Sequence, residues 1–362
     1  MKKVLVLSNM YPSTKFPHYG IFVKNTNKIL KSCGCKVHTV AVTKTNIKIF
    51  KLLKYFIFFI RAFFALNFRK FDIVYVHYPA FSGIPLRFWY RNKTQLVVNI
   101  HGNDLVPEEE KDKFFLKNTD IAVKQAGYIV LPSEYFKEKF FERYSDYDSK
   151  KVYVFPSGGV NRNVFYRDDR VCALKNMHLN PNYKYISFVS RIEANKGWDL
   201  FVKIINQLKN KYPNYRYIIV GSGSQEEVLR KMIKKYGLEH LIYKYSYLKH
   251  EKLNEVFNSS DIFCFPSLRE SESLGLVGLE AMACGCIVIS TSGTGPASYI
   301  KNNYNGFIAE SNTSTSMAKK INEIISMSNE DKNKIRVNAE TSTVSYSLSN
   351  TATRFKAFIN SI

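Results

Sequence analysis

The sequence predicts an α/β protein built from two Rossmann-like domains, each a doubly wound parallel sheet, facing one another across a cleft. Three observations predict this. Short, near-continuous apolar runs alternate with longer stretches whose apolar residues recur at helical spacing. The runs fall in two equal sets on either side of a polar break. The chain has 362 residues, enough for two domains that each bury a core.

The first-half runs are "VLVL" (4–7), "KVHTVAV" (36–42), "IVYVHY" (73–78), "LVVNIH" (96–101), "YIVLPS" (128–133) and "VYVFPSG" (152–158). Those of the second half are "YISFVSR" (185–191), "YRYIIVG" (215–221), "IYKYSY" (242–247), "IFCFPS" (262–267), "CIVIST" (286–291) and "GFIAE" (306–310). Strands buried on both faces lack polar alternation, so such runs read as parallel strands. Between them lie stretches such as "WDLFVKIINQLKNKY" (198–212), with apolar residues at helical spacing. Alternating strand and helix gives right-handed βαβ units. The polar stretch "YRDDRVCALKNMHLNPNYK" reads as the linker, with a break near 165–180. The expected division is 1–168, 169–343, and a C-terminal helix within 344–362 that packs back on the first domain.

The N-terminal "MKKVLVLSNMYPS" reads as a first strand. Its apolar run is too short for a leader, and no small-residue cleavage site follows. No run approaches the roughly 18 apolar residues of a membrane span. Composition is globular, with 45% hydrophobic and 23% charged residues. The cysteines Cys33, Cys35, Cys172, Cys264, Cys284 and Cys286 form no C-x-x-C pair and have no His cluster beside them. Reduced thiols in the cytoplasm are expected, without a zinc site or a disulfide framework. The net charge is +23, and residues 1–100 hold 17 Lys or Arg against the single acid Asp72. Such a field attracts anions: nucleic acid, acidic headgroups or phosphorylated substrates.

In open parallel sheets, ligands bind beyond the carboxyl ends of the strands. Four constellations sit there. In "RESESLGLVGLEAMACG" (269–285) a loop gives way to a helix starting near Leu274–Leu276, whose N-terminus suits an anion. Gly275 and Gly278 allow close backbone approach. Were the whole segment helical, Glu272 and Glu280 would stand ~12 Å apart and ~80° out of phase, so they cannot act as a pair on one atom. They can hold the two ends of an extended ligand with a negative middle, the layout of a nucleoside diphosphate joined to a sugar. In "SRIEANKGWDL" (190–200), Arg191 and Lys196 suit a diphosphate. In "VNIHGNDL" (98–105), His101 ends a strand and can donate a hydrogen bond or transfer a proton, with Asp104 behind it. In "NMYPSTKFPHYGIFVKN" (9–25), Gly20 opens a helix. The G-x-G of Gly221 and Gly223 lacks the third glycine of a dinucleotide fingerprint, and no acid ends the strand "IYKYSY"; both count against a nicotinamide enzyme.

In this order the segments resemble the family 4 retaining glycosyltransferases, which have the GT-B fold. That family carries two glutamates separated by seven intervening residues, and "ESLGLVGLEAMACG" (272–285) is similar, with Leu274 in the place of an aromatic residue. "HGND", "SRIEANKG", "VGSGS" and "NGF" (305–307) fall where the family has similar segments. The resemblance implies that Glu280 binds the nucleotide ribose. It implies that Glu272 holds donor-sugar hydroxyls, with backbone N–H groups of Ser273, Leu274, Gly275 and Leu276. Arg191 and Lys196 would neutralise the leaving diphosphate, with Gly221 and Gly223 in the donor site. His101 would contact the sugar near the reacting carbon, Gly20 would admit the phosphates, and Asp104 would face the acceptor. The resemblance implies a nucleoside-diphosphate sugar as donor, with no metal and no cofactor. Two departures stand: "SGTGPASY" (292–299) lacks the family's acid, and Cys286 replaces a common proline.

Residues 46–70, "NIKIFKLLKYFIFFIRAFFALNFRK", hold an apolar-aromatic run, 55–66, broken only by Arg61 and flanked by basic residues. It reads either as a buried helix or as one lying on an anionic membrane surface. The second reading is expected, which puts the protein in the cytoplasm, peripheral on the inner face of the cell membrane. A glycan or lipid-linked acceptor in surface polysaccharide synthesis follows. No nucleic-acid partner is expected, since no RNA motif or aromatic basic repeat accompanies the charge. The competing readings are a same-fold sugar-nucleotide epimerase or hydrolase, a glucan phosphorylase, and a non-catalytic basic binding protein.

Overall fold

The computed structural model describes residues 1–17, 19–90 and 94–362. Its chain forms two units: Met1–Gly158 with Ser349–Ile362, and Gly159–Leu348.

In the first unit β1 (Lys3–Tyr11), α1 (Ile21–Ser32), β2 (Lys36–Thr43), α2 (Lys48–Phe68), β3 (Ile73–His77), α3 (Pro79–Ser82), β4 (Gln95–Asn99), α4 (Glu110–Gln125), β5 (Tyr128–Leu131), α5 (Glu134–Arg143) and β6 (Val152–Val154) follow in order. The sheet runs β2-β1-β3-β4-β5-β6 with every pairing parallel. Strand alternation divides its core between two faces. Leu5, Leu7, Val74 and Val76 pack with Phe136 and Phe140. Val4, Val6, Ile73 and Tyr75 pack on the opposite side.

In the second unit α6 (Arg170–Asn176), β7 (Lys184–Val189), α7 (Trp198–Leu208), β8 (Tyr215–Val220), α8 (Glu226–Lys235), β9 (Ile242–Tyr245), α9 (Leu253–Ser259), β10 (Ile262–Phe265), α10 (Leu276–Ala283), β11 (Ile287–Ser290), β12 (Phe307–Ile308), α11 (Ser314–Ser326) and α12 (Asn329–Ser342) build a parallel sheet in the order β12-β11-β10-β7-β8-β9. The face of α7 bearing Trp198, Phe201, Val202, Ile205 and Leu208 is buried in this unit's core. Each such side chain contributes about 1.5–3 kcal/mol on burial. The last helix, α13 (Leu348–Ser361), brings Phe355 and Ile359 into the first unit's core, where the Phe355 ring stacks 4.3 Å from that of Phe155.

Each apolar run read as a strand overlaps one. The boundary differs from the expected 168/169. Residues 159–168 belong to the second unit because Val160 and Phe165 are fully buried there, in one cluster with Leu279. The expected linker is likewise structured: α6 lies within it, and Leu174, Met177 and Leu179 sink into the same cluster. Its polar residues cover the outside of a short amphipathic helix.

The helix α2 is not a buried helix. It buries Phe58, Ala62, Ala65 and Leu66 at helical spacing, packs Tyr55 and Phe59 part-buried against the same core, and leaves much of its opposite face outward, with Leu52 72% and Phe56 62% exposed. No helix of the described residues is long and apolar enough to cross a membrane.

Candidate functional site

In the second unit, α10 starts at Leu276, and Gly275 caps it in the left-handed conformation (φ 72°). A Cβ at Gly275 would also meet Pro296 at 2.9 Å. Glu272 therefore lies in the loop before the helix and Glu280 within it. Leu274 is buried in the core, while Ser273 and Leu276 are partly exposed at the mouth of the helix. Gly278 serves packing rather than ligand approach: a Cβ there would stand 2.3 Å from the Tyr299 hydroxyl, which donates to Gly275 O at 2.8 Å.

Glu280 is only 4% exposed. Its Oε1 lies 2.9 Å from Nε2 of His250. Burial pushes the Glu280 carboxyl above its ordinary range, opposed by His250. The hydrogen bond to Glu280 raises His250. Sequence reasoning missed His250. The one available signal was its place in the loop after β9, at the same end of the sheet as the other candidates.

Glu272 Oε2 accepts from Lys196 Nζ in a largely buried ion pair, and Ser267 Oγ lies 3.4 Å away. One glycine-dependent approach and one backbone hydrogen bond hold the parent loops together. Gly197, at the start of α7, sits so close to Pro266 that a Cβ would stand 1.9 Å from its carbonyl oxygen. Leu268 N donates to Asn195 O at 2.9 Å. The structure thus brings Lys196 and Glu272 together. Arg191 is exposed beyond β7 and helps lower the Glu193 carboxyl, after the larger effect of Ser224, which donates to Glu193 from both its hydroxyl and its backbone N–H. Gly221 and Gly223 pack against the carbonyls of Ser190 and Ile192, where a Cβ would stand at 1.8 and 2.2 Å.

In the first unit His101 follows β4, and its Nε2 lies 2.9 Å from Nδ1 of His77, the last residue of β3. Burial pushes His101 down to about 3 and holds His77 well below its ordinary value, so both rings are neutral near pH 7. His77 is a further residue that sequence reasoning passed over. Asp104 is fully buried, and its carboxylate accepts from the backbone N–H of His101 (3.0 Å) and Gly102 (2.6 Å). It scaffolds the His101 loop, whereas the sequence placed it toward the acceptor. Burial pushes it up to about 7 against those donors. Gly20 caps α1 and lies against β1, where a Cβ would meet the Met10 carbonyl carbon at 2.6 Å.

Comparison with known proteins bears on the family and the fold. A "Glycosyltransferase Family 4" model matches residues 3–159, and a "Glycosyl transferases group 1" model matches 174–342. The chain is 27% identical over 168 residues to a D-inositol 3-phosphate glycosyltransferase of Segniliparus rotundus, covering 45% of this chain and 37% of that protein. It is 24% identical over 241 residues to a 2-deoxystreptamine N-acetyl-D-glucosaminyltransferase of Niallia circulans, covering 63% and 60%. The chain spans less than two thirds of the length of these relatives. Among solved structures it is similar to sucrose-phosphate synthase of Thermosynechococcus elongatus, with a TM-score of 0.81, 17% identity and coverage of 100% and 99%. It is also similar to Anabaena HepE in complex with UDP and glucose, with a TM-score of 0.73, 16% identity and full coverage of both chains. Taken together with the two parallel six-stranded sheets, these matches place the chain in the family 4 type of glycosyltransferases, with the GT-B fold.

Proposed function

We propose that this protein transfers a sugar from a nucleoside-diphosphate sugar to a glycan or lipid-linked acceptor, with retention of configuration at the transferred carbon. The arrangement around α10 carries the reading. A buried carboxylate, Glu280, lies past the helix start, and a second, Glu272, lies before it with Lys196 at its side. Glu280 is assigned to the ribose and Glu272 to the sugar hydroxyls. Arg191, Lys196 and the first N–H groups of α10 are assigned to the diphosphate. Ser273, Leu274, Gly275, Leu276, Gly221 and Gly223 shape this site. His101 and Gly20 of the first unit are assigned to the same reaction on the family resemblance.

The sugar's bond from its anomeric carbon to the diphosphate oxygen breaks, and a bond to an acceptor oxygen forms on the same face. The acceptor's hydroxyl proton passes to the departing phosphate. The cations stabilise the charge that develops on the leaving group, the task a metal ion performs in other transferases. No metal or other cofactor is assigned.

The outer face of α2 supports a second element of the proposal, peripheral attachment to the anionic inner face of the cell membrane. Leu52, Leu53, Phe56 and Phe64 are exposed there among Lys48, Lys51 and Arg61. A lipid-linked acceptor in surface polysaccharide synthesis is consistent with this placement.

Ligand-observed NMR with a panel of nucleoside-diphosphate sugars tests the core of the reading. Binding of at least one donor, lost in Glu280→Ala, supports it. Equal binding by the variant overturns the site. Donor consumption without acceptor at full rate would favour a hydrolase or epimerase instead.

A further inference from the structure

His77 and His101 share one hydrogen bond, and its direction is open to deduction. Both rings are neutral near pH 7, so a single N–H lies between His77 Nδ1 and His101 Nε2. Two arrangements satisfy this. If His101 donates, His77 carries its own proton on Nε2. If His77 donates, its Nε2 is a bare lone pair.

The surroundings of His77 discriminate between them. Its side chain is fully buried, and among the described residues Nε2 has no hydrogen-bond partner. Its ring lies among the rings of Tyr75 (4.9 Å), Phe22 (5.7 Å) and His101 (5.2 Å). Orphaned N–H donors are rarer in protein interiors than under-used acceptors. The arrangement that strands a lone pair is therefore preferred over the one that strands a proton.

We infer that His77 is a positioning residue that donates from Nδ1 to His101 Nε2 and so fixes His101 as the Nδ1–H tautomer. The partner of one ring nitrogen sets the protonation of the other. His101 then has its only free proton on Nδ1 and no basic nitrogen outside the pair. It can donate a hydrogen bond to a sugar or alkoxide oxygen, and it cannot act as a general base. The Phe22 ring, 4.4 Å from that of His101, helps hold the orientation. The consequence for sugar transfer rests on the role proposed for His101, but the tautomer itself does not.

The test is two-bond proton–nitrogen correlation NMR of the full chain labelled with nitrogen-15 histidine, with His101→Asn assigning the signals. At pH 7 His101 is expected as the Nδ1–H form. In His77→Leu, which keeps the bulk and loses the donor, His101 is expected to leave that form. With a working donor sugar, kcat is expected to fall about tenfold with KM little changed, the cost of one hydrogen bond. His77→Asn, whose amide can donate, is expected to restore part of the rate. An Nε2–H His101 in the native protein overturns the proposal, as does an unchanged tautomer in folded His77→Leu. If His77→Leu does not fold, the native spectrum alone decides. The expected tautomer in a protein that uses no nucleotide sugar would overturn the proposed function and leave this inference standing.

Discussion

The carboxylate of Glu280 meets Nε2 of His250 at 2.9 Å, so the buried acid at the centre of the candidate donor site already has a partner before any ligand arrives. A ribose that bonds to Glu280 competes with that imidazole. His250 is raised above its ordinary 6.5, first by its hydrogen bond to Glu280 and further by the charges of Glu280 and Glu251. Its protonated form is the one that holds the acid. Affinity for uridine or guanosine diphosphate, whichever binds, is therefore expected to rise with pH through the titration of His250. Binding near that titration should release protons, seen as calorimetric heats that depend on the buffer. Glu280→Gln should weaken the nucleotide about 10–100-fold, the scale of a hydrogen bond to a charged group.

The same pair bears on stability. A group whose pKa is higher in the folded state contributes stability below its unfolded pKa and loses it as pH rises through the folded value. The gap in Tm between native protein and His250→Gln should thus be widest below pH 6.5 and narrow toward pH 9. A gap that widens with pH would contradict the contact.

Much of this site was legible in the sequence because its residues follow strands. The strand pattern survives as near-continuous apolar runs, and the spacing of Glu272 and Glu280 is local. What was not legible depends on pairings across the sheet. His250 lies 30 residues from Glu280, and His77 lies 24 residues from His101. Each alone is an ordinary histidine. The boundary was misplaced because Val160 and Phe165 are too few to signal burial within a polar stretch. The acid Asp104 looked like a ligand group because the sequence cannot show that neighbouring backbone N–H groups already occupy it.

Lys196 and Glu272 form a largely buried ion pair, so removing one leaves the other uncompensated. Lys196→Ala and Glu272→Gln should each lower kcat about 100-fold or more, and the double variant should cost far less than the product of the two. Activity in EDTA should match that in its absence if these cations carry the diphosphate. Multiplicative losses would mean that the pair does not act as a unit.

Asp104→Ala removes the acceptor for the N–H groups of His101 and Gly102. Unfolding in urea should show a loss of about 2–4 kcal/mol, the desolvation of two stranded donors. A change under 1 kcal/mol would mean that water replaces the carboxylate.

The outward face of α2 gives the last test. Leu52 and Phe56 are exposed and make little contribution to the fold, so Leu52→Glu and Phe56→Glu should leave Tm within a few degrees of native. Placed on a membrane, the same changes remove apolar contact and add repulsion from acidic headgroups. Co-sedimentation with vesicles containing phosphatidylglycerol should fall at least tenfold in the double variant. Native binding should weaken as salt rises from 50 to 500 mM, because the Debye length shrinks. Activity on a short water-soluble acceptor should not change. Equal native binding to neutral and anionic vesicles would rule out the electrostatic half of the attachment, and undiminished binding by the double variant would rule out α2 as its seat.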